Sequence, residues 1–206
     1  MSIAELSVAL GVHRSIAYRI LRTLEDHGLI VRNQLGTVTL GPRMATLARG
    51  VNRDLQTAAL PELTTVANEL MMTAFLVVLD QNECVTLVSV EPRHNVATVV
   101  QRPGTRHLLS VGAPGIAIQS RLLPTQLVAL LGDQSMRLEV EDARFQGFAT
   151  SHDEVIAGLS SVAAAFPVPH STPAAVAVVY IKSKYTLVEI GNCLMRAAEA
   201  IANELT

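Results

Sequence analysis

Aromatic side chains are scarce. They make up 3% of the 206 residues, and tryptophan is absent. Half of the chain is nevertheless hydrophobic, so its core has to be built from Leu, Val, Ile and Ala. Cysteine is nearly missing as well. Cys84 and Cys193 are too few and too far apart for a disulfide framework or a metal knuckle, and they read as two buried thiols in a reducing cytoplasm. No apolar run reaches the roughly 18 residues that a membrane-spanning helix needs. The opening MSIAELSVAL has neither the basic leader nor the small-residue cleavage site of a secretory signal. The expected location is cytoplasmic, with no membrane partner.

The usual marks of catalysis are missing too. His13, His27, His94, His107, His152 and His170 are scattered, and no two form the i, i+4 pair of a helical metal site. Ser110, Ser160, Ser161 and Ser171 have no nucleophile-elbow context. Gly112 and Gly115 belong to neither a Walker loop nor a dinucleotide fingerprint. The chain is expected to be neither an enzyme nor a holder of a metal or cofactor.

What is present is an uneven distribution of charge. The net charge of −2 hides a split. Residues 1–53 carry seven Arg against Glu5, Glu25 and Asp26, a balance of +4, whereas residues 54–206 carry nine Lys or Arg against fifteen Asp or Glu, a balance of −6. A basic head on an acidic body points to a polyanion as the head's partner. All seven cations of the head are Arg, whose planar fork suits phosphates and guanine edges.

The local pattern sharpens this. In Ser2–Leu10, Ile3, Leu6 and Leu10 recur at helical spacing behind Ser2 as N-cap. Gly11 supplies the positive φ that a chain leaving a helix needs, and Val12 packs back into the angle. A second helix is predicted from about Arg14 to His27, with Ala17, Ile20, Leu21 and Leu24 on its buried side and Gly28 as its stop. Two helices joined by a short glycine turn form a helix-turn-helix, whose second member enters the DNA major groove. His13, Arg14, Ser15, Ile16, Tyr18, Arg19 and Arg22 are then free to meet DNA. The start of that helix is placed for base edges, and Arg19 and Arg22 for phosphates. The following IVRNQLGTVTLG reads as a wing hairpin turning at Leu35-Gly36, with Val31, Val38 and Leu40 apolar. Arg32, Asn33, Gln34 and Thr37 are expected near its tip, with Arg32, Asn33 and Thr37 as DNA contacts.

The order of these features resembles the DNA-binding domain of the IclR-type bacterial transcriptional regulators. The likeness lies in the small-residue helix, GVHRS at the turn, RILRTLEDHGLI after it and LGPR beyond the wing. It implies a winged helix-turn-helix over residues 1–41, a linker helix over 42–55 and an effector-binding domain over 56–206. Family members usually have Thr where Ile16 stands. They also carry a further helix ahead of the segment that starts here at Met1; the expectation is that the start of the protein lies upstream, the alternatives being that a neighbouring subunit covers the apolar patch or that DNA binding is impaired. In the linker, Met44, Leu47, Ala48 and Val51 form a short stripe opposite Arg43, Arg49 and Arg53, suited either to a second subunit or to solvent.

The body alternates helical and strand patterns. LPELTTVANELMM reads as a helix, TAFLVVLD and CVTLVSVE as a hairpin, and NVATVVQRP as a third strand. GAPGIAIQSRLL and PTQLVALLG are helices, FATS, LSSVAAAFPV and AAVAVVYIK continue the sheet, and TLVEIGNCLMRAAEAIANEL closes the chain with Leu187, Ile190, Leu194, Ala198 and Ile201 on one face. The fold class is α+β, with an antiparallel sheet and helices at one end, similar to the GAF-like effector domain of the family.

The resemblance implies that the effector lies among Leu108, Leu109, Gly112, Ala113, Ser151, Leu159, Ser161, Ala177 and Val179. Where family members that bind small hydroxy- or keto-acids offer serine hydroxyls and a carboxylate, this chain has AVAVVYI and, near the acid position, Ser151. Gly115-Ile116-Ala117 replaces the usual glycine-lysine-alanine. A buried carboxylate needs donors, so an apolar or aromatic effector is expected. The whole reads as a homodimeric or tetrameric regulator that binds operator DNA and a small organic effector. Two rivals stand beside it: a ligand-binding body whose degenerate head no longer binds DNA, and a purely structural interaction module.

Overall fold

A computed structural model describes residues 1–34, 36–93, 99–132 and 137–206, apart from the side chain of Arg49. It divides into two compact units, Met1–Arg53 and Asp54–Thr206.

In the first unit, helix α1 (Ile3–Ala9) opens on a capping box: the Glu5 N–H donates to Ser2 Oγ and the Ser2 N–H to Glu5 Oε2. Gly11, at φ +62°, turns the chain, and helix α2 (Arg14–Asp26) follows, capped by His13. Strands β1 (Ile30–Arg32) and β2 (Val38–Leu40) pair antiparallel, Ile30 opposite Leu40. Leu35, at the predicted turn, lies outside the described residues. The buried side of α2 is narrower than its periodicity predicts. Ala17 and Leu21 are buried, Leu24 is half-buried, and Ile20 is 43% exposed. Two helices and a three-residue strand pair enclose only one row of side chains.

The segment expected as one linker helix over 42–55 is two helices. Helix α3 (Arg43–Gly50) ends at a break where Asn52 takes φ +47°, and helix α4 (Arg53–Leu70) begins beyond it. Helix α4 therefore starts well before the expected Leu60 and runs through Pro61. Burial of Leu55, Ala58 and Ala59 before the proline and of Leu63, Val66 and Ala67 after it outweighs the one backbone bond Pro61 cannot make.

The second unit is built on a six-stranded antiparallel sheet in the order β5-β4-β3-β8-β7-β6. Its strands are β3 (Thr73–Asp80), β4 (Glu83–Val90), β5 (Arg106–Leu108), β6 (Ala149–His152), β7 (Ser160–Phe166) and β8 (Ala174–Tyr180). Helices cover both faces rather than one end. Ala74, Leu76, Val162, Ala164, Val176 and Val178 face α4 and the last helix, α8 (Leu187–Glu204). Their alternates Phe75, Val77, Ala163, Ala165, Ala175 and Ala177 face α5 (Gly112–Arg121), α6 (Pro124–Leu131) and α7 (Leu138–Gln146). This explains why the two central strands are apolar at every position over Ala74–Leu79 and Ala174–Val179 although the sheet is antiparallel. On α8 the predicted stripe is buried at Ile190, Leu194, Ala198 and Ile201, while Leu187, in the first turn, is exposed.

The expected third strand over 95–103 is not found in its described part. Residues 95–98 lie outside the described residues, residues 99–103 are not in a strand, and β5 pairs with β4 three residues later. Helix α7, LEVEDARFQ, has no counterpart in the pattern reading, because only Val140 and Ala143 of it are buried.

Candidate nucleic-acid interface and effector pocket

The first turn of α2 is held from its own N-terminus. His13 Nδ1 accepts the Ser15 N–H and lies 2.8 Å from Ser15 Oγ. That cap aims the next residues outward, so that His13, Arg14, Ser15, Tyr18 and Arg19 line a shallow open depression. Ile16 is exposed on the same turn and Arg22 one turn on. Among the described residues, Arg14, Arg19 and Arg22 have no ion-pair partner. This leaves three free guanidinium groups on one helix.

The wing departs from expectation. Arg32 turns back to Glu25 on α2, 2.5 Å away, with its guanidinium 5.4 Å from the centre of the Tyr18 ring, and its side chain is only 19% exposed. Asn33 braces the turn: its Oδ1 accepts the Thr37 N–H at 2.9 Å, and its own N–H donates to the Thr37 carbonyl. Arg32 and Tyr18 thus spend part of their reach within the chain, and Asn33 and Thr37 shape the wing.

In the body, a half-open cleft lies between the sheet and the start of α5. Phe75 of β3 and Val179 of β8 form its floor, and Val155, Ile156 and Leu159 come from the loop between β6 and β7. Its polar wall is Gln101, His107, Ser151, Glu154, Ser160 and Ser161, with Gly112 and Pro114 at the helix end. Gly112 sits at φ +81°, where a Cβ would lie 2.9 Å from Val155 Cγ2.

Five of the nine expected effector residues line this cleft: Gly112, Ser151, Leu159, Ser161 and Val179. Ala113 contributes its backbone N–H, which donates to Ser151 Oγ at 2.9 Å. Leu109 is fully buried, with its carbonyl accepting Gln119 Nε2 at 2.7 Å. Ala177 belongs to the core under α5, and Leu108, 52% exposed, stands outside the lining. The resemblance did not include Phe75, Gln101, His107, Pro114, Glu154, Val155, Ile156 or Ser160, which lie apart along the chain. It also placed no carboxylate near Ser151, yet Glu154 supplies one three residues on.

Glu154 is firmly held. Arg137 grips both its oxygens, Nη1 to Oε2 at 2.6 Å and Nη2 to Oε1 at 2.8 Å, and Gly112 N–H donates to Oε2 at 2.8 Å. Arg137 beside it holds the Glu154 carboxyl below its ordinary range. Glu139 also pairs with Arg137, and its own carboxyl is lowered for the same reason. Burial holds the His107 imidazole below its ordinary pKa, with Nδ1 3.1 Å from the Leu108 carbonyl. Burial likewise pushes Cys84 up to about 12 and Cys193 up to about 11, so neither is a thiolate at neutral pH. Among the described residues, no three of His, Cys, Asp and Glu gather into a metal site, and no helix is long and apolar enough to cross a membrane.

The family description of the IclR helix-turn-helix domain matches residues 1–34, and that of the bacterial transcriptional regulator IclR C-terminal domain matches residues 49–205. The chain belongs to the IclR family of bacterial transcriptional regulators. It is 30% identical over 178 residues to the HTH-type transcriptional regulator Rv1719 of Mycobacterium tuberculosis, covering 80% of this chain and 68% of that protein. Its fold is similar to that of the IclR transcriptional regulator from Alicyclobacillus acidocaldarius (TM-score 0.84, 23% identity, all of this chain and 90% of that one). It is similar as well to an IclR homologue from Microbacterium hydrocarbonoxydans solved with 4-hydroxybenzoate (TM-score 0.82, 19% identity, all of this chain and 91% of that one). As an IclR-family protein, the chain is a transcriptional regulator with a helix-turn-helix DNA-binding domain and an effector-binding domain, and the family's members are regulators rather than enzymes.

Proposed function

We propose that residues 1–41 bind operator DNA, that residues 42–55 connect, and that residues 56–206 bind an apolar or aromatic effector that alters operator affinity. The observation that carries the DNA half is the exposed, unpaired set Arg14, Arg19 and Arg22 on the helix that follows the glycine turn. His13, Ser15, Ile16 and Tyr18 complete the face offered to base edges, and Arg32, Asn33 and Thr37 form the wing beside it. The protein acts as a homodimer or tetramer, and its operator is a palindrome with half-sites a whole number of helical turns apart.

The effector half rests on the cleft at α5, whose walls are mostly apolar. The 4-hydroxybenzoate bound by the Microbacterium homologue points toward the same chemical class. An effector controls DNA binding if it prefers one arrangement of the paired DNA-binding units over another. Replacing both Arg14 and Arg19 with Ala is expected to abolish a gel shift on the neighbouring intergenic DNA at moderate salt and to leave effector affinity intact. An unchanged shift would overturn the DNA assignment. Calorimetry with a panel of monocyclic aromatics beside glyoxylate and pyruvate tests the effector, and tight binding of only the two small acids would overturn it.

A further inference from the structure

The cleft takes a definite view of ligand charge. A helix N-terminus is ordinarily a ready site for an anion, because its first N–H groups are unpaired. At α5 those groups are spent. Gly112 N–H donates to Glu154 and Ala113 N–H to Ser151, and the third helical residue is Pro114, which has no N–H. The guanidinium that holds Glu154, that of Arg137, faces two carboxylates, Glu154 and Glu139, so that cluster carries a net negative charge.

Other lining groups offer acceptors as well as donors. Gln101 gives one N–H of its Nε2 to Thr86 Oγ1 at 2.9 Å and keeps its carbonyl oxygen and its second N–H. Ser161 donates its hydroxyl to the Val178 carbonyl at 2.9 Å and keeps its lone pairs. His107, buried against backbone carbonyls, brings no positive charge. A carboxylate can only accept, and beside the negative cluster of Glu154, Glu139 and Arg137 it would be repelled, while an uncharged hydroxyl can both donate and accept.

We propose that this cleft selects an uncharged aromatic ring bearing a hydroxyl, a phenol or an aromatic alcohol, over the corresponding aromatic carboxylate, with Glu154 as the residue that sets the preference. This rests on the cleft being the effector pocket. Glu154, held by Arg137, occupies the place an effector carboxylate would take.

The test is calorimetry on the full chain at neutral pH with two matched pairs: benzyl alcohol against benzoate, and 4-methylphenol against 4-hydroxybenzoate. The alcohol or phenol is expected to bind at least about tenfold tighter than its partner, the size of one charge-assisted hydrogen bond. Glu154→Ala frees the Gly112 N–H and one side of Arg137, and should strengthen carboxylate binding by about tenfold or more. The ratio of 4-methylphenol to 4-hydroxybenzoate affinity should fall with it. If a melting curve shows that Glu154→Ala does not fold, Glu154→Gln removes the charge at nearly constant shape and should shift the ratio the same way. Carboxylates binding the unaltered chain as tightly as their neutral partners, or a ratio that neither variant moves, would overturn the proposal while leaving the aromatic effector in place. Binding of none of the four compounds would overturn both.

Discussion

The two units of this chain solve the problem of folding in opposite ways. In Met1–Arg53 the described apolar core amounts to Ala17, Leu21 and Ile30, and α1 buries no residue fully. In Asp54–Thr206 two apolar layers lie on the two faces of one sheet. The first unit devotes its surface to arginines around three enclosed apolar side chains, whereas the second encloses two full apolar layers, although Leu138 and Phe145 stand 82% and 96% exposed on its surface. Small units bury a small fraction of their surface and are marginal for that reason. Recognition of a long, charged partner asks for surface chemistry, and recognition of a small molecule asks for an interior.

Four substitutions and one titration sharpen that contrast, in descending order of effect. The Arg14→Ala and Arg19→Ala pair should weaken operator binding by roughly 2–6 kcal/mol, taking about 1–3 kcal/mol for each contact. The gel shift should fall away while the body's melting stays unchanged. Leu194→Ala, in the fully buried seam of α8, should cost about 2–5 kcal/mol in denaturant unfolding of the body. Circular dichroism of the head should not follow it. Gly112→Ala has to place a Cβ at φ +81° and against Val155, a strain of about 1–3 kcal/mol. Calorimetry should show weaker ligand binding together with a lower melting temperature.

Glu154 gives a pH signature. Its carboxyl is lowered in the folded chain, so its pairing with Arg137 contributes fully above the ordinary value of 4.5 and is lost as pH falls from there through the lower folded value. Acid titration of stability should be shallower in Glu154→Gln over that window and identical at pH 7 to 8 in slope. The smallest effect belongs to the head. Removing Glu25 frees Arg32 from a partly exposed pair, which should change stability by about 1 kcal/mol or less. If operator affinity at low salt rises in that variant, the wing arginine joins the DNA contacts.

The sequence made one half of the candidate site legible and the other only in part. The helical residues proposed to face DNA lie within ten positions, so 3.6-residue periodicity is enough to place Arg14, Arg19 and Arg22 on one side. What it could not show is that Arg32 turns back onto Glu25, because that pair joins a strand to a helix through space. The cleft proposed for the effector draws on β3, β5, β6, β7, β8, the end of α5 and two loops. The family resemblance assigned Val179 and Ser161 a place near it, and no local pattern could bring Phe75, Gln101 or His107 to the same point.

Local order along the chain therefore decided by itself most of the elements, the glycine turn, the basic head and the aliphatic body, because caps, turns and hydrophobic periods act over a few residues. Helix cover on both sheet faces, the split of the linker at Asn52, and the closing of the α5 donors by Ser151 and Glu154 were decided only in three dimensions. Each of these depends on groups tens of residues apart, and the free energy that joins them comes from packing and desolvation, which no local pattern records.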